Sequence, residues 1–164
     1  MSKANYKNRI ENLKSREKLC KVIYLFYTYL PVVMFICYPV TLIIKAFMGF
    51  DLKLLLMILI PASVLLIVTA IRKIVNRPRP YEKYNTPSLF KRDGNGESFP
   101  SRHTASAFVL AMSGFALSPY LGTALLIIAC IIALTRILAG VHFVSDVIAG
   151  MVISVGAGSV FFFI

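Results

Sequence analysis

The chain holds two histidines, His103 and His142, and each stands beside groups that suit chemistry. His142 precedes Asp146 by four residues, a spacing that puts both on one face of a helix. A carboxylate accepting the imidazole Nδ1–H fixes the tautomer and leaves Nε2 as a nucleophile or base. Asp146 opens an otherwise apolar segment, 147–151, and an ionisable group in such a place points to function. A structural polar pair at a helix start is the plainer alternative. His103 closes the run Pro100-Ser101-Arg102-His103 at the start of another apolar segment. Free backbone N–H groups and the helix dipole favour an anion there, and His103 suits a general acid that protonates a leaving oxygen. Ser101 and Thr104 are also candidate caps for that helix.

Arginine surrounds both histidines. Arg72, Lys73, Arg77 and Arg79 break out of an apolar run, and Arg136 lies six residues before His142. The guanidinium fork matches phosphate oxygens, although a headgroup-facing flank or a snorkelling arginine would read the same way. Pro78 and Pro80 hold the backbone around Arg79 extended. Phosphoryl transfer needs in-line attack and neutralised equatorial oxygens, and arginines with helix N–H groups can supply the second without a metal. No metal or cofactor is expected.

These groups need elements that bring them together. Hydrophobic residues make up 58% of the 164-residue chain and charged residues 15%, with mean hydropathy +0.76. Apolar runs near the ~20 residues that cross a bilayer recur, so the expected fold is all-α, a polytopic membrane helical bundle in one domain, 1–164. Five spans are expected, at about 22–48, 52–75, 103–117, 120–139 and 142–164, with Pro31, Pro39 and Pro61 as kinks. Residues 1–21 form a basic tail, either an amphipathic helix on the membrane with Tyr6, Ile10 and Leu13 on one face or a solvated segment. Residues 76–102 form a proline- and glycine-rich loop, expected as ordered turns rather than helix. Cys20, Cys37 and Cys130 form no motif. With five spans, the ends bearing Arg72–Arg79, His103 and Arg136–His142 converge on one membrane face. The net charge of +11 then fits anionic lipid or a phosphate substrate; no soluble domain remains to bind nucleic acid.

At this point the pattern resembles the type 2 phosphatidic acid phosphatase superfamily of membrane lipid phosphatases. The matching stretches are Arg72-x6-Arg79-Pro80, Pro100-Ser101-Arg102-His103 and Thr135-Arg136-x5-His142-x3-Asp146. Arg72 stands where that family has lysine, Arg102 where it has glycine, and Thr135 where it has serine. The resemblance implies that His142 is a nucleophile forming a phosphohistidine, oriented by Asp146, with His103 as general acid. It also implies a phosphate cradle of Arg72, Arg79, Ser101, Arg102 and Arg136. The implied substrate is a lipid phosphate monoester or diphosphate of the phosphatidate, phosphatidylglycerophosphate or polyprenyl diphosphate type.

Two other functions fit the same residues: a lipid phosphotransferase, and a non-catalytic membrane protein that binds anionic lipid. The related vanadate-binding haloperoxidases are larger and soluble, which five apolar spans argue against. The chain is expected in the cell membrane. The basic tail and the loop share a face, which the positive-inside rule would place in the cytoplasm. The resemblance implies the extracytoplasmic face, and that is the orientation adopted here.

Overall fold

The computed structural model describes residues 2–91 and 95–163. Arg92, Asp93 and Gly94 of the expected loop, and Ile164 of the last expected span, lie outside the described residues. The elements among the described residues are all helical: α1 (Lys3–Ser15), α2 (Glu17–Met48), α3 (Leu52–Val75), α4 (Pro80–Lys83), α5 (Arg102–Leu117), α6 (Pro119–Leu138) and α7 (Val144–Gly158), with a closing 3₁₀ turn (Ser159–Phe162).

Four of these helices, α2, α3, α6 and α7 with its 3₁₀ extension, are long and apolar enough to cross a membrane. They keep large side chains such as Phe35, Leu66 and Val152 exposed. Such a surface suits lipid, in which a helix satisfies its own backbone. The remaining expected span, α5, has 16 residues, or about 24 Å at about 1.5 Å per residue. It packs against α2, α3, α6 and α7 and buries nine residues, from Thr104 to Gly114. Because its neighbours shield it, α5 need not match the full hydrocarbon thickness. Small residues let those neighbours close in. A side chain at Gly150 would place its Cβ 2.8 Å from the Ser101 carbonyl oxygen, so α7 meets α5 closely at the end where α5 begins.

Several boundaries follow from local chemistry. Asp51 caps α3 by accepting the Leu54 N–H and also accepts a hydrogen bond from Lys45 at the end of α2. The Lys45 contact, then the cap bond, hold the Asp51 carboxyl below the usual carboxylate range. Asn76 ends α3 in the left-handed region (φ 39°), which asparagine tolerates better than most residues. Pro31, Pro39 and Pro61 lie inside continuous helices.

Three expectations change. The loop contains one helical turn, α4, which Pro80 starts at a position where a missing N–H costs nothing. His142 lies before α7 rather than within it: Asp146, in the first turn, accepts the Phe143 N–H at 2.8 Å, and the helix starts at Val144. The basic tail is a helix, α1, but its apolar face turns inward. Tyr6 and Ile10 are buried, packed with Ile23, Tyr84 and Leu89. The Tyr6 hydroxyl donates to the Gly140 carbonyl at 3.1 Å, and Arg9 Nη2 donates to the Ile137 carbonyl at 3.1 Å. One carbonyl belongs to the last turn of α6 and the other to the turn that follows it, so α1 docks on protein.

Candidate active site

The ends of α3, α5, α6 and α7 meet as the span count requires. Ser101, at the start of α5, gives its backbone N–H to the Asp146 carbonyl at 2.9 Å, and Leu89 of the loop gives its own to Ala139 at 2.9 Å. The imidazole sits in this junction.

His142 is buried, 3% exposed. Its Nδ1 lies 2.9 Å from the Ser98 carbonyl oxygen and 3.6 Å from Asp146 Oδ2. The sequence had Asp146 accepting the Nδ1–H. At 3.6 Å no hydrogen bond forms, and the backbone of Ser98 takes that place. A carbonyl can only accept, so Nδ1 carries the proton and neutral His142 keeps a lone pair on Nε2. Burial is the main reason that the His142 pKa is lowered. The Asp146 carboxylate pulls it up, while the charges of Arg79 and Arg72 push it further down.

Asp146 is fully buried and anchors the surroundings of the histidine. Its Oδ2 accepts from the Ser98 hydroxyl and from the Phe143 N–H, and its Oδ1 accepts from Arg77 Nη1 at 2.7 Å. Asp146 therefore acts on His142 through Ser98, whose carbonyl holds the ring while its hydroxyl binds the carboxylate. Arg77 also lies over the Phe143 ring, 4.3 Å from its centroid.

The arginines are held individually. Arg72 is buried; Nη1 donates to the Pro100 carbonyl at 3.0 Å and Nη2 lies 3.5 Å from Glu97 Oε2. Its Nε is buried with no hydrogen-bonding partner among the described residues, which suits a guanidinium awaiting an anion. Arg79 is buried, with Nε donating to the Gly96 carbonyl at 3.0 Å. Glu82 fixes that loop by accepting the Arg79 and Gly96 N–H groups at 2.6 and 2.9 Å. Ser101 is buried and its hydroxyl accepts from Thr104 at 3.0 Å, so it does not cap α5 with its side chain. Arg102 is exposed. Arg136 turns to α2: Nη2 donates to the Tyr27 carbonyl at 2.8 Å, and the guanidinium lies 4.0 Å over the Tyr27 ring.

The other histidine faces an apolar hollow. His103 and Arg102 line a cavity of about 510 Å³ with Val32 and Phe35 of α2, Leu65 of α3, Leu110 of α5 and Ile132 of α6. That volume falls within the usual range for small-molecule sites. Among the described residues no three His, Cys, Asp or Glu side chains gather as a metal centre.

Four contributors carry little sequence signal. Ser98 acts partly through its backbone, and the partners of Arg77, Glu82 and Tyr6 are recognisable only once the loop and α1 are placed. Arg77 stands in the basic run and Tyr6 on the apolar face of the tail, but neither position assigns a partner.

A family model described as "PAP2 superfamily" matches residues 52–164. The fold is similar to that of Aquifex aeolicus LpxE, at TM-score 0.68 and 26% identity over 90% of this chain and 94% of that one. It is also similar to a transmembrane PAP2-type phosphatidylglycerolphosphate phosphatase from Bacillus subtilis, at TM-score 0.61 and 20% identity over 96% of this chain and 90% of that one. The second likeness is one of fold. No curated protein matches the chain.

Proposed function

The chain belongs to the PAP2 superfamily, and we propose that within it the chain is a membrane phosphatase hydrolysing a lipid phosphate monoester or diphosphate through a phosphohistidine. The observation that carries this reading is the set imidazole. His142 Nδ1 is held by the Ser98 carbonyl, Nε2 keeps its lone pair, and Arg79 and Arg72 are close enough for their charges to act on the ring.

In the first step Nε2 attacks phosphorus as the bond to the leaving oxygen breaks. Protonated His103 gives its proton to that oxygen, so an alcohol or lipid monophosphate departs. In the second step His103 takes a proton from water. The resulting hydroxide attacks phosphorus, the P–N bond breaks, and inorganic phosphate leaves with His142 neutral again. Arg72, Arg79, Arg102 and the N-terminal end of α5 at Ser101 neutralise the phosphoryl oxygens. Arg136 belongs to this cradle if substrate draws it from Tyr27. The apolar hollow beside His103 takes the start of the lipid chain. We assign the site to the extracytoplasmic face of the cell membrane.

The test is release of inorganic phosphate by purified protein in mixed micelles from phosphatidate, phosphatidylglycerophosphate and a polyprenyl diphosphate. Release from at least one of them is expected, falling at least about a thousandfold in His142→Ala. No release from any of them, or release undiminished by the substitution, would refute the reading.

A further inference from the structure

We propose that Arg9, Asn12 and Arg16 form a second phosphate-binding site, apart from the histidines and carried by the helix that docks on the His142 turn. The three residues are spaced i, i+3 and i+7 along α1 and its C-cap, which brings them to one face. With Leu13 they line a hollow of about 240 Å³. Arg9 uses Nη2 on the Ile137 carbonyl at 3.1 Å, while its Nε is buried with no hydrogen-bonding partner among the described residues.

No carboxylate pairs with Arg9 or Arg16 among the described residues; the only acid of α1, Glu11, lies 3.8 Å from Lys7. Two arginines lining one hollow carry like charge, which an anion between them would offset. Their planar forks and the Asn12 amide match the several acceptor oxygens of a phosphate. The N-terminus of α2 follows Arg16 without a side-chain cap, but Glu17 already places a carboxylate in its first turn. The C-terminus of α1 opposes it there, so the arginines carry the site.

Position selects the source of the phosphate. The hollow lies beside Arg16, where the apolar run of α2 begins, and α1 adds positive charge through exposed Lys3, Lys7 and Lys14 on its opposite side. That setting draws anionic headgroups, and free phosphate presents the same chemistry. A bound phosphate would relieve the repulsion between the arginines. It would thereby hold α1, through Arg9 and Tyr6, against the Ile137–His142 segment.

The experiment needs no turnover. Protein in micelles containing equal phosphatidylglycerol and phosphatidylcholine is examined by native mass spectrometry for retained lipid. In parallel, its unfolding temperature is compared in phosphate and in chloride at equal ionic strength. Preferential retention of phosphatidylglycerol is expected, about tenfold weaker in Arg16→Gln and in the Arg9→Gln/Arg16→Gln double variant, and unchanged in Lys3→Gln/Lys7→Gln. Among the described residues Arg16 makes no side-chain hydrogen bond to the bundle, so its single variant tests the site without undocking α1. If phosphatidylglycerol is not preferred but the phosphate-induced rise is smaller in Arg16→Gln, the site takes free phosphate. The proposal is overturned if Arg16→Gln matches the parent protein in both assays, or if the lysine variant loses as much as the arginine variants.

Discussion

Asp146 is the side chain on which most of the proposed catalytic geometry depends. A buried carboxylate is tolerated only when charge and hydrogen bonds compensate for lost water, and here Arg77, Ser98 and the Phe143 N–H do so. An amide at this place would turn an NH₂ toward groups that are themselves donors. Asp146→Asn is therefore expected to lower kcat/KM by about a hundredfold and stability by about 1–3 kcal/mol, as read from phosphate release and thermal unfolding. The pH dependence follows from burial of His142. Its pKa is lowered, so the ring stays neutral and nucleophilic at a pH where an ordinary histidine, near ~6.5, is half charged. The acid limb of kcat/KM is thus expected below that value. Removing the Arg79 charge removes one influence that lowers the His142 pKa, so Arg79→Gln should move the acid limb to higher pH as well as weaken substrate binding. A role in binding alone would leave the limb in place. At this scale the sequence revealed side chains by their chemistry and spacing: two histidines, an acid in an apolar run, and clustered arginines. The Ser98 carbonyl was not legible, because every residue carries one and only the fold says which faces the ring.

Helix α1 shows what an element contributes beyond its own residues. Its apolar positions were legible from their spacing, but periodicity cannot say whether the apolar face meets lipid or protein. Gly140 decides in favour of protein. Its φ of +72° belongs to the left-handed region, and an added Cβ would lie 2.6 Å from the Tyr6 hydroxyl oxygen. The turn is open to α1 only because it is glycine. Burial raises the Tyr6 pKa to about 12, so the hydroxyl remains a donor to Gly140 throughout the working pH range. Tyr6→Phe should lower stability by about 1 kcal/mol and reduce kcat more than it raises KM, because the hydroxyl holds the turn bearing His142 and touches no substrate. A steady-state comparison checks this, and an unchanged kcat would mean that α1 does not steady the turn. Element limits elsewhere were legible to within a few residues, since lipid demands long apolar helices. The start of α7 was misplaced because an acid three residues after the N-cap ends the loop there.

Across the whole molecule, the apolar exterior of α2, α3, α6 and α7 sets the depth of everything else, and the charged groups of the candidate site gather at the end where α3 finishes and α5 begins. That convergence was legible from the parity of the spans alone. It does not say which side of the membrane receives the site. On the proposed orientation, a cysteine replacing exposed Asn95, in a background without Cys20, Cys37 and Cys130, is labelled by an impermeant thiol reagent in intact cells. Protection until the cells are lysed would place the site in the cytoplasm. The most direct test of the proposed chemistry is a rapid acid-free quench of the purified protein with a lipid phosphate carrying a radioactive phosphoryl group. The account predicts a labelled protein whose phosphate is acid-labile and alkali-stable, maps to His142, and is absent from His142→Ala. Turnover of the same substrate without label at His142, or with label on another residue, would contradict it.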